Sequence, residues 1–492
     1  MAVNDEVCGS AGRQGRVAFV ELYTQWPAYF LDSFMAIQAE DLREAGHSVA
    51  WFKGFLLDEA HTQLSVLEDE LARSGPWDFL VFERLWSREI LQRLKEAAGH
   101  PRVVVTPWEP PGDWSEVDYR IAPPARGVLT QLIEQDLSGM KPKGTNLHVR
   151  ESEGAWLLPE HNKSLEIREY FQLPVDFAYD LMRSLGLPKK EVSQTRYLML
   201  NMGCPYRNAT NTSGFLDALE LPTSWGASGC TFCNVGPYEA QTQSQRFELI
   251  HSQLKALSKH EDYTRLVVVD EFVFRDIATL AEAILSHAPQ GVEVLVRARV
   301  NYLETYLPAL LKALETLQGH GSITPYLVGF ENFSDAELKR YNKGQSAAET
   351  LSAARTLIKL SEEWDNLNLS PSQGFILFGP WTSLEDLRLN AKALASTDFR
   401  ALRGGITRTK LRLNPDAALV ARARADGLLI ESHLRPDEDN AASTGYQAEI
   451  PYRFKDPRTE QVWTLLNGPK PIQASSELAR LEAAIAEVER HN

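Results

Sequence analysis

Twice along the chain, short apolar runs alternate with amphipathic stretches of helical spacing, which restricts the fold to parallel sheets wrapped by helices. The first series occupies residues 16–107. "RVAFVEL" (16–22), "SVAWFKGF" (48–55), "WDFLVFE" (77–83) and "RVVVTPW" (102–108) read as strands. "LDSFMAIQAEDLREAGH" (31–47), "HTQLSVLEDELARSG" (61–75) and "REILQRLKEAAGH" (88–100) read as the helices between them. This order predicts a doubly wound parallel sheet of flavodoxin or Rossmann type, whose ligands sit at the carboxyl ends of the strands. No G-x-G-x-x-G follows the first strand, where "YTQWPAYF" stands instead, and this argues against a dinucleotide site.

The second series starts at 195. Strands are expected at 196–202, 265–272, 292–300, 324–331, 372–379 and 408–414, with helical patterns between them. Six βα units predict a partial (β/α)6 barrel of TIM type, with its chemistry at the carboxyl ends of the strands. The expected domains are a doubly wound α/β domain over 13–112, a connecting module over 113–194, the barrel over 195–435 and a C-terminal extension over 436–492. "PWEPPGDW" (107–114) marks the first boundary. The closing amphipathic segment, "SELARLEAAIAEVERHN", is expected to pack on the barrel.

Composition narrows the function. The chain has 492 residues, 43% of them hydrophobic and 24% charged, with a net charge of -15. That charge argues against a nucleic-acid partner. No apolar run is long enough to span a bilayer, and "MAVNDEVCGSAGRQGR" lacks the apolar core of a signal peptide. Four cysteines in a chain of this length are not a disulfide framework, so a cytoplasmic protein with reduced thiols is expected.

Three of those four cysteines, Cys204, Cys230 and Cys233, lie in one stretch, directly after the first strand of the second series. Three thiolates can hold zinc with one histidine, for which His251 and His260 are the candidates. They can instead hold a 4Fe–4S cluster with one iron left open. Unrelated buried thiols are the third reading.

If 208–229 is set aside, the flanks join as "GCPYR" and "CTFC", which resembles the C-x-x-x-C-x-aromatic-C motif of radical S-adenosylmethionine (SAM) enzymes. The spacing here is C-x25-C-x2-C, a departure from the family pattern. Further matches follow in order. "VVVDEFVF" (267–274) is similar to the second-strand motif, and the resemblance implies that Asp270 and Glu271 bind the amino group of SAM. "VRARVN" (296–301) implies Arg297 or Arg299 near the methionyl carboxylate or the reaction space. "LVGFENFSDAELKRYNKG" (327–344) implies Glu331 and Asn332 facing the ribose, and "GFILFGPWTSLEDL" (374–387) implies Ile376 and Phe378 against the adenine. Phe232 is the aromatic residue of the cysteine motif. The resemblance spans roughly residues 195–430.

A doubly wound domain ahead of such a barrel is similar to the cobalamin-dependent radical SAM enzymes. Here Tyr23, Trp26, Trp86 and Trp108 would face the corrin, and the D-x-H-x-x-G lower-ligand motif is absent. The resemblance implies a 4Fe–4S cluster on the three cysteines and reductive cleavage of SAM to a 5′-deoxyadenosyl radical. With cobalamin it implies methyl transfer to an unactivated carbon of a small molecule or peptide. It also implies an electron donor such as flavodoxin or ferredoxin. Without cobalamin, the alternatives are rearrangement, epimerisation or dehydrogenation. A zinc-stabilised α/β binding protein is the alternative of another class. The segment 208–229 is expected to be an insert that folds out and back, so that the cysteines form one site.

Overall fold

A computed structural model of the chain describes residues 13–23, 33–55, 62–106 except 84 and 86, 114–121, 126–151, 156–157, 195–209 except 202, 214–221 except 218, 228–259 except 234, 236, 237 and 239, 263–413, 417–430 and 450–491. The described residues fall in two units, one within Met1–Val192 and the other within Ser193–Arg435 and Gly445–Asn492.

In the first unit, β1 (Arg16–Tyr23), α1 (Ser33–Glu44), β2 (Ser48–Phe55), α2 (Thr62–Ser74), β3 (Phe79–Phe82), α3 (Arg88–Ala97) and β4 (Arg102–Val105) alternate as expected. They are followed by β5 (Tyr119–Ile121), α4 (Val128–Leu137), β6 (Leu147–Arg150) and β7 (Trp156–Leu157). One sheet holds all seven strands in the order β2-β1-β3-β4-β5-β6-β7. The first five are parallel, β6 pairs antiparallel with β5, and β7 pairs antiparallel with β6. Three strands of this sheet therefore come from the region expected as a connecting module. At three, four and two residues they are too short for periodicity to reveal.

Side-chain alternation along β1 feeds two layers. Ala18, Val20 and Leu22 join Leu64, Leu67 and Leu71 of α2 and Leu91 and Leu94 of α3 in one buried cluster. Fully burying a leucine of this kind stabilises by about 1.5–3 kcal/mol. On the other face Phe19 meets Trp51, whose indole N–H donates to Glu21 at 2.7 Å. α1 packs on β2 and on α4. The strand order reverses between β1 and β3, which is where a doubly wound sheet opens a crevice at its carboxyl edge.

The second unit contains β8 (Thr195–Met199), α5 (Gln243–Leu257), β9 (Arg265–Val269), α6 (Ile277–His287), β10 (Val292–Val296), α7 (Val300–Thr305), α8 (Leu307–Leu317) and β11 (Gly321–Pro325). Next come β12 (Gly329–Glu331), α9 (Asp335–Arg340), α10 (Ala347–Glu363), β13 (Gly374–Phe375), α11 (Leu384–Ala395), α12 (Ala418–Ala425), α13 (Pro457–Asn467) and α14 (Glu477–His491). Capping boxes start α5, α10 and α11, from Thr242, Ser346 and Ser383. β8 to β11 form a parallel sheet, and β12 and β13 a second parallel pair. A single parallel bridge from Arg299 to Gly329 links the two. α14 packs on α11 and α13.

Three expected strands differ, and the one expected over 372–379 shrinks to β13, Gly374–Phe375. The one expected over 324–331 is split into β11 and β12 by a left-handed residue, Leu327 at φ +50. The one expected over 408–414 reduces to one bridge, Phe378 to Lys410, because a 3-10 turn occupies Ile406–Arg408. No helix among the described residues is long and apolar enough to cross a membrane.

His47 ties α1 to the start of β1, since its Nδ1 accepts from the Gly15 N–H at 3.0 Å. Burial holds its pKa below the ordinary 6.5, against the pull of Glu134 and Asp78. A depressed folded pKa gives stability that is present above the ordinary value and lost as pH falls through the folded one. Thermal unfolding is therefore expected to show a loss of stability on acidification below about pH 6.5 that His47→Gln, which keeps an acceptor without titrating, makes shallower. Parallel pH profiles for the two proteins would contradict this.

Candidate functional site

The cysteine loop begins where β8 ends. Leu200 and Asn201 both donate backbone N–H groups to the Val269 carbonyl at 3.2 Å, which holds the loop against β9. The interruption between Cys204 and Cys230 closes at its base. Ala209 and Ser228 pair antiparallel, and the Gly229 N–H donates to the Asn208 carbonyl at 2.8 Å. The Asn342 side-chain amide clamps this stem, donating to the carbonyls of Asn208 at 3.0 Å and Gly229 at 2.7 Å, with Ala209 at 3.3 Å. Gly344, at φ +65, lies so close beneath Tyr206 that an added Cβ would stand 2.5 Å from the phenol oxygen. Farther out, Phe215 packs edge-on against Trp381 at 5.0 Å and beneath Arg422 at 5.2 Å. The neighbouring Leu216 is buried.

On the other arm, Thr231 is held to α9 and the turn after it. Its hydroxyl donates to the Arg340 carbonyl at 2.7 Å, and its N–H to the Tyr341 carbonyl at 3.1 Å. The Cys233 N–H closes a turn onto the Cys230 carbonyl at 3.1 Å. Phe232 meets Tyr341 edge-on at 5.4 Å.

The three thiols form one electrostatic group. Burial pushes Cys204 up, against the Tyr206 backbone N–H and Arg299, with Cys230 adding to the rise. Burial and then Cys230 push Cys233 up to about 12. Protonated thiols of this kind are poor nucleophiles, and a bound metal is what would convert them to thiolates. Among the described residues no three His, Cys, Asp or Glu side chains converge tightly enough to hold a single metal ion. A four-iron cluster takes each thiolate on a different iron and so does not need the three sulfurs to converge on one ion.

Two buried cations stand beside the thiols. Arg299 donates through one terminal nitrogen to Cys230 Sγ at 3.4 Å and through the other to the Lys343 carbonyl. Its Nε is buried with no partner. Lys343 pairs with Glu331 at 2.7 Å, both nearly buried. Glu331 has φ +60, and its backbone carbonyl receives the Ile376 N–H at 2.6 Å. Around them, Glu271 pairs with Arg297 at 3.0 Å, and Arg297 also donates to the Tyr326 hydroxyl at 2.8 Å. Asp270 accepts from the Phe272 N–H at 2.7 Å and from the Tyr238 hydroxyl at 3.3 Å. Burial raises its pKa to about 7, so it titrates near neutrality.

Two solved structures share this architecture. The cobalamin-dependent SAM radical enzyme OxsB, solved with aqua-cobalamin and SAM, superposes with a TM-score of 0.59 at 14% identity, covering 97% of this chain and 71% of that one. The radical SAM methyltransferase TsrM from Kitasatospora setae, solved with cobalamin and a [4Fe-4S] cluster, gives 0.56 at 14% identity, covering 97% and 89%. The chain has the fold of these cobalamin-dependent radical SAM enzymes. TsrM with tryptophan and a SAM analogue gives 0.50, covering 82% of this chain. No protein-family model matches the chain, and no curated protein does.

Of the expected site residues, Arg299 touches a thiol directly, and Glu331 is tied to the group through Lys343. Asn332 is fully buried, and its amide binds the Ile376 carbonyl at 2.7 Å, the Ser334 N–H at 2.8 Å and Asn390 at 2.8 Å. It fastens β12 to the segment after β13. Phe378 is fully buried against Trp463 at 5.1 Å and Phe454 at 6.1 Å. Trp26, Trp86 and Trp108 lie outside the described residues, as does the side chain of Tyr23. Asn342, Lys343 and Tyr206 were not among the expected site residues. The first two sit in the quoted "NKG", so the signal was present in the sequence.

Asn342→Ala removes the donor to the buried Gly229 carbonyl. It is expected to cost about 1–3 kcal/mol and to speed hydrogen exchange at the Gly229 amide. Unchanged exchange there would show that the stem holds without the clamp.

Proposed function

We propose that this chain is a radical SAM enzyme that cleaves S-adenosylmethionine at a 4Fe–4S cluster. With cobalamin, it transfers a methyl group to an unactivated carbon of a small molecule or peptide. The observation that carries this reading is the cysteine group. Thiols from both sides of a closed insert act together at the carboxyl edge of a parallel sheet, beside Arg299 and Lys343.

The residues suit the cluster. Three thiolates leave one iron open for SAM. The partnerless buried Nε of Arg299 is a donor of the kind an anionic group beside the thiols would take. When bound, the cluster and SAM supply a 5′-deoxyadenosyl radical that removes a substrate hydrogen, and cobalamin supplies the methyl group. The protein binds, orients and excludes water. Cys204, Cys230 and Cys233 hold the cluster, and Phe232 flanks it. Asp270 and Glu271 take the amino group of SAM, Arg297 its carboxylate, Glu331 its ribose, and Ile376 its adenine. Arg297 suits a carboxylate because its guanidinium is already oriented by Glu271 and Tyr326.

In the first unit, cobalamin would lie at the carboxyl edge of β1, β3 and β4, walled by Tyr23, Trp26, Trp86 and Trp108. Thr106, directly after β4, keeps a buried hydroxyl without a partner, a polar atom available on that edge. The reading calls for a reducing, cytoplasmic setting and an electron donor such as flavodoxin or ferredoxin.

Anaerobic purification with cobalamin supplied is expected to yield a brown protein with about four iron and four sulfide per chain and stoichiometric cobalamin. Each of Cys204→Ala, Cys230→Ala and Cys233→Ala is expected to lose the iron and with it SAM-dependent 5′-deoxyadenosine formation. A colourless chain carrying stoichiometric zinc would defeat the reading. A full cluster without cobalamin would move it to a rearrangement, epimerisation or dehydrogenation.

A further inference from the structure

Arg299 follows β10 and caps α7 with an extended backbone, φ -88 and ψ 153. Its side chain is enclosed on several sides. The guanidinium carbon stands 3.8 Å from the centre of the Tyr206 ring. One terminal nitrogen donates to Cys230 Sγ at 3.4 Å, and the other to the Lys343 carbonyl. The residue is only 5% exposed.

The neighbouring cations differ in how their charge is met. Lys343 is neutralised by Glu331 at 2.7 Å, and Arg297 is paired with Glu271 at 3.0 Å. Among the described residues no carboxylate pairs with Arg299, whose terminal nitrogens meet the Cys230 sulfur and the Lys343 carbonyl. Its terminal nitrogens are committed, to a sulfur and to a carbonyl, so the fork that would grip a carboxylate in bidentate fashion is already used. The potential of an iron–sulfur cluster follows its net charge, the hydrogen bonds to its sulfurs and its exposure to solvent. Reduction adds one negative charge to the cluster. A buried cation that also donates N–H to a ligating sulfur stabilises that extra charge more than it stabilises the oxidised state.

Resting on the cluster reading above, we infer that Arg299 sets the reduction potential of the cluster through Cys230 and is not the ligand of the SAM carboxylate. It is a positioning and tuning residue, aligned by Tyr206 and the Lys343 carbonyl.

The test is a reductive titration of the anaerobically reconstituted full-length protein, followed by electron paramagnetic resonance without SAM. Iron content is measured first. Arg299→Gln is expected to move the midpoint to a more negative potential. Arg299→Lys, which keeps the charge and loses the fork, is expected to fall between the two. Iron-replete variants with the wild-type midpoint would overturn the assignment. Should a variant fail to hold its cluster, the wild-type protein carrying 15N-guanidino arginine decides. Electron–nuclear double resonance on the reduced cluster is expected to show a nitrogen coupling, and its absence would overturn the assignment. A wild-type chain that takes up no iron would overturn the cluster reading along with it, whereas an iron-replete wild type with no arginine coupling would overturn this assignment alone.

Discussion

The site depends on one amide group. Cys204 and Cys230 are far apart in sequence, and the stem at Ala209 and Ser228 brings their arms together. Asn342 fastens that stem to the turn after α9 by donating to carbonyls on both of its strands. The same turn carries Lys343, whose carbonyl receives Arg299, and Gly344, which makes room for Tyr206. Four consequences follow from three adjacent residues: the loop is closed, the arginine is aimed at Cys230, Glu331 is neutralised, and Tyr206 is seated over the guanidinium.

The electrostatics of the pocket are graded by pairing. Glu331 with Lys343, and Glu271 with Arg297, cancel in place, and such buried pairs are costly to break because one charge is left behind. Among the described residues Asp270 has no ion pair, and burial raises its pKa against the pull of the Phe272 N–H and Arg275. Burial likewise disfavours the anionic forms of the Cys204 and Cys233 thiols. On the proposed reading, the cysteines would take the irons of the cluster and Asp270 the ammonium of SAM.

Much of this was legible in the sequence. The βα alternation gave the parallel pairings of β1 to β4 and of β8 to β11, because buried strands and amphipathic helices have distinct periods. The cysteine pair in its loop, and the "NKG" after α9, marked the site. What was not legible has physical causes. Strands β5 to β7 are too short to show a period. The left-handed residues Leu327 and Glu331 break a run that reads as one strand. A motif names the end of a strand but not the face a side chain takes. β13 stops at Phe375, so no continuous strand holds Ile376 and Phe378 to a common face. Asn332 turned inward because three buried polar partners needed it.

On the proposed reading, the three cysteines hold a four-iron cluster with one iron open to SAM. The most direct measurement is the electron paramagnetic resonance spectrum of the reduced, reconstituted protein before and after SAM is added. A cubane signal is expected, with a shape that changes when SAM binds the open iron. A signal indifferent to SAM, or a protein with no reducible cluster, would contradict that reading.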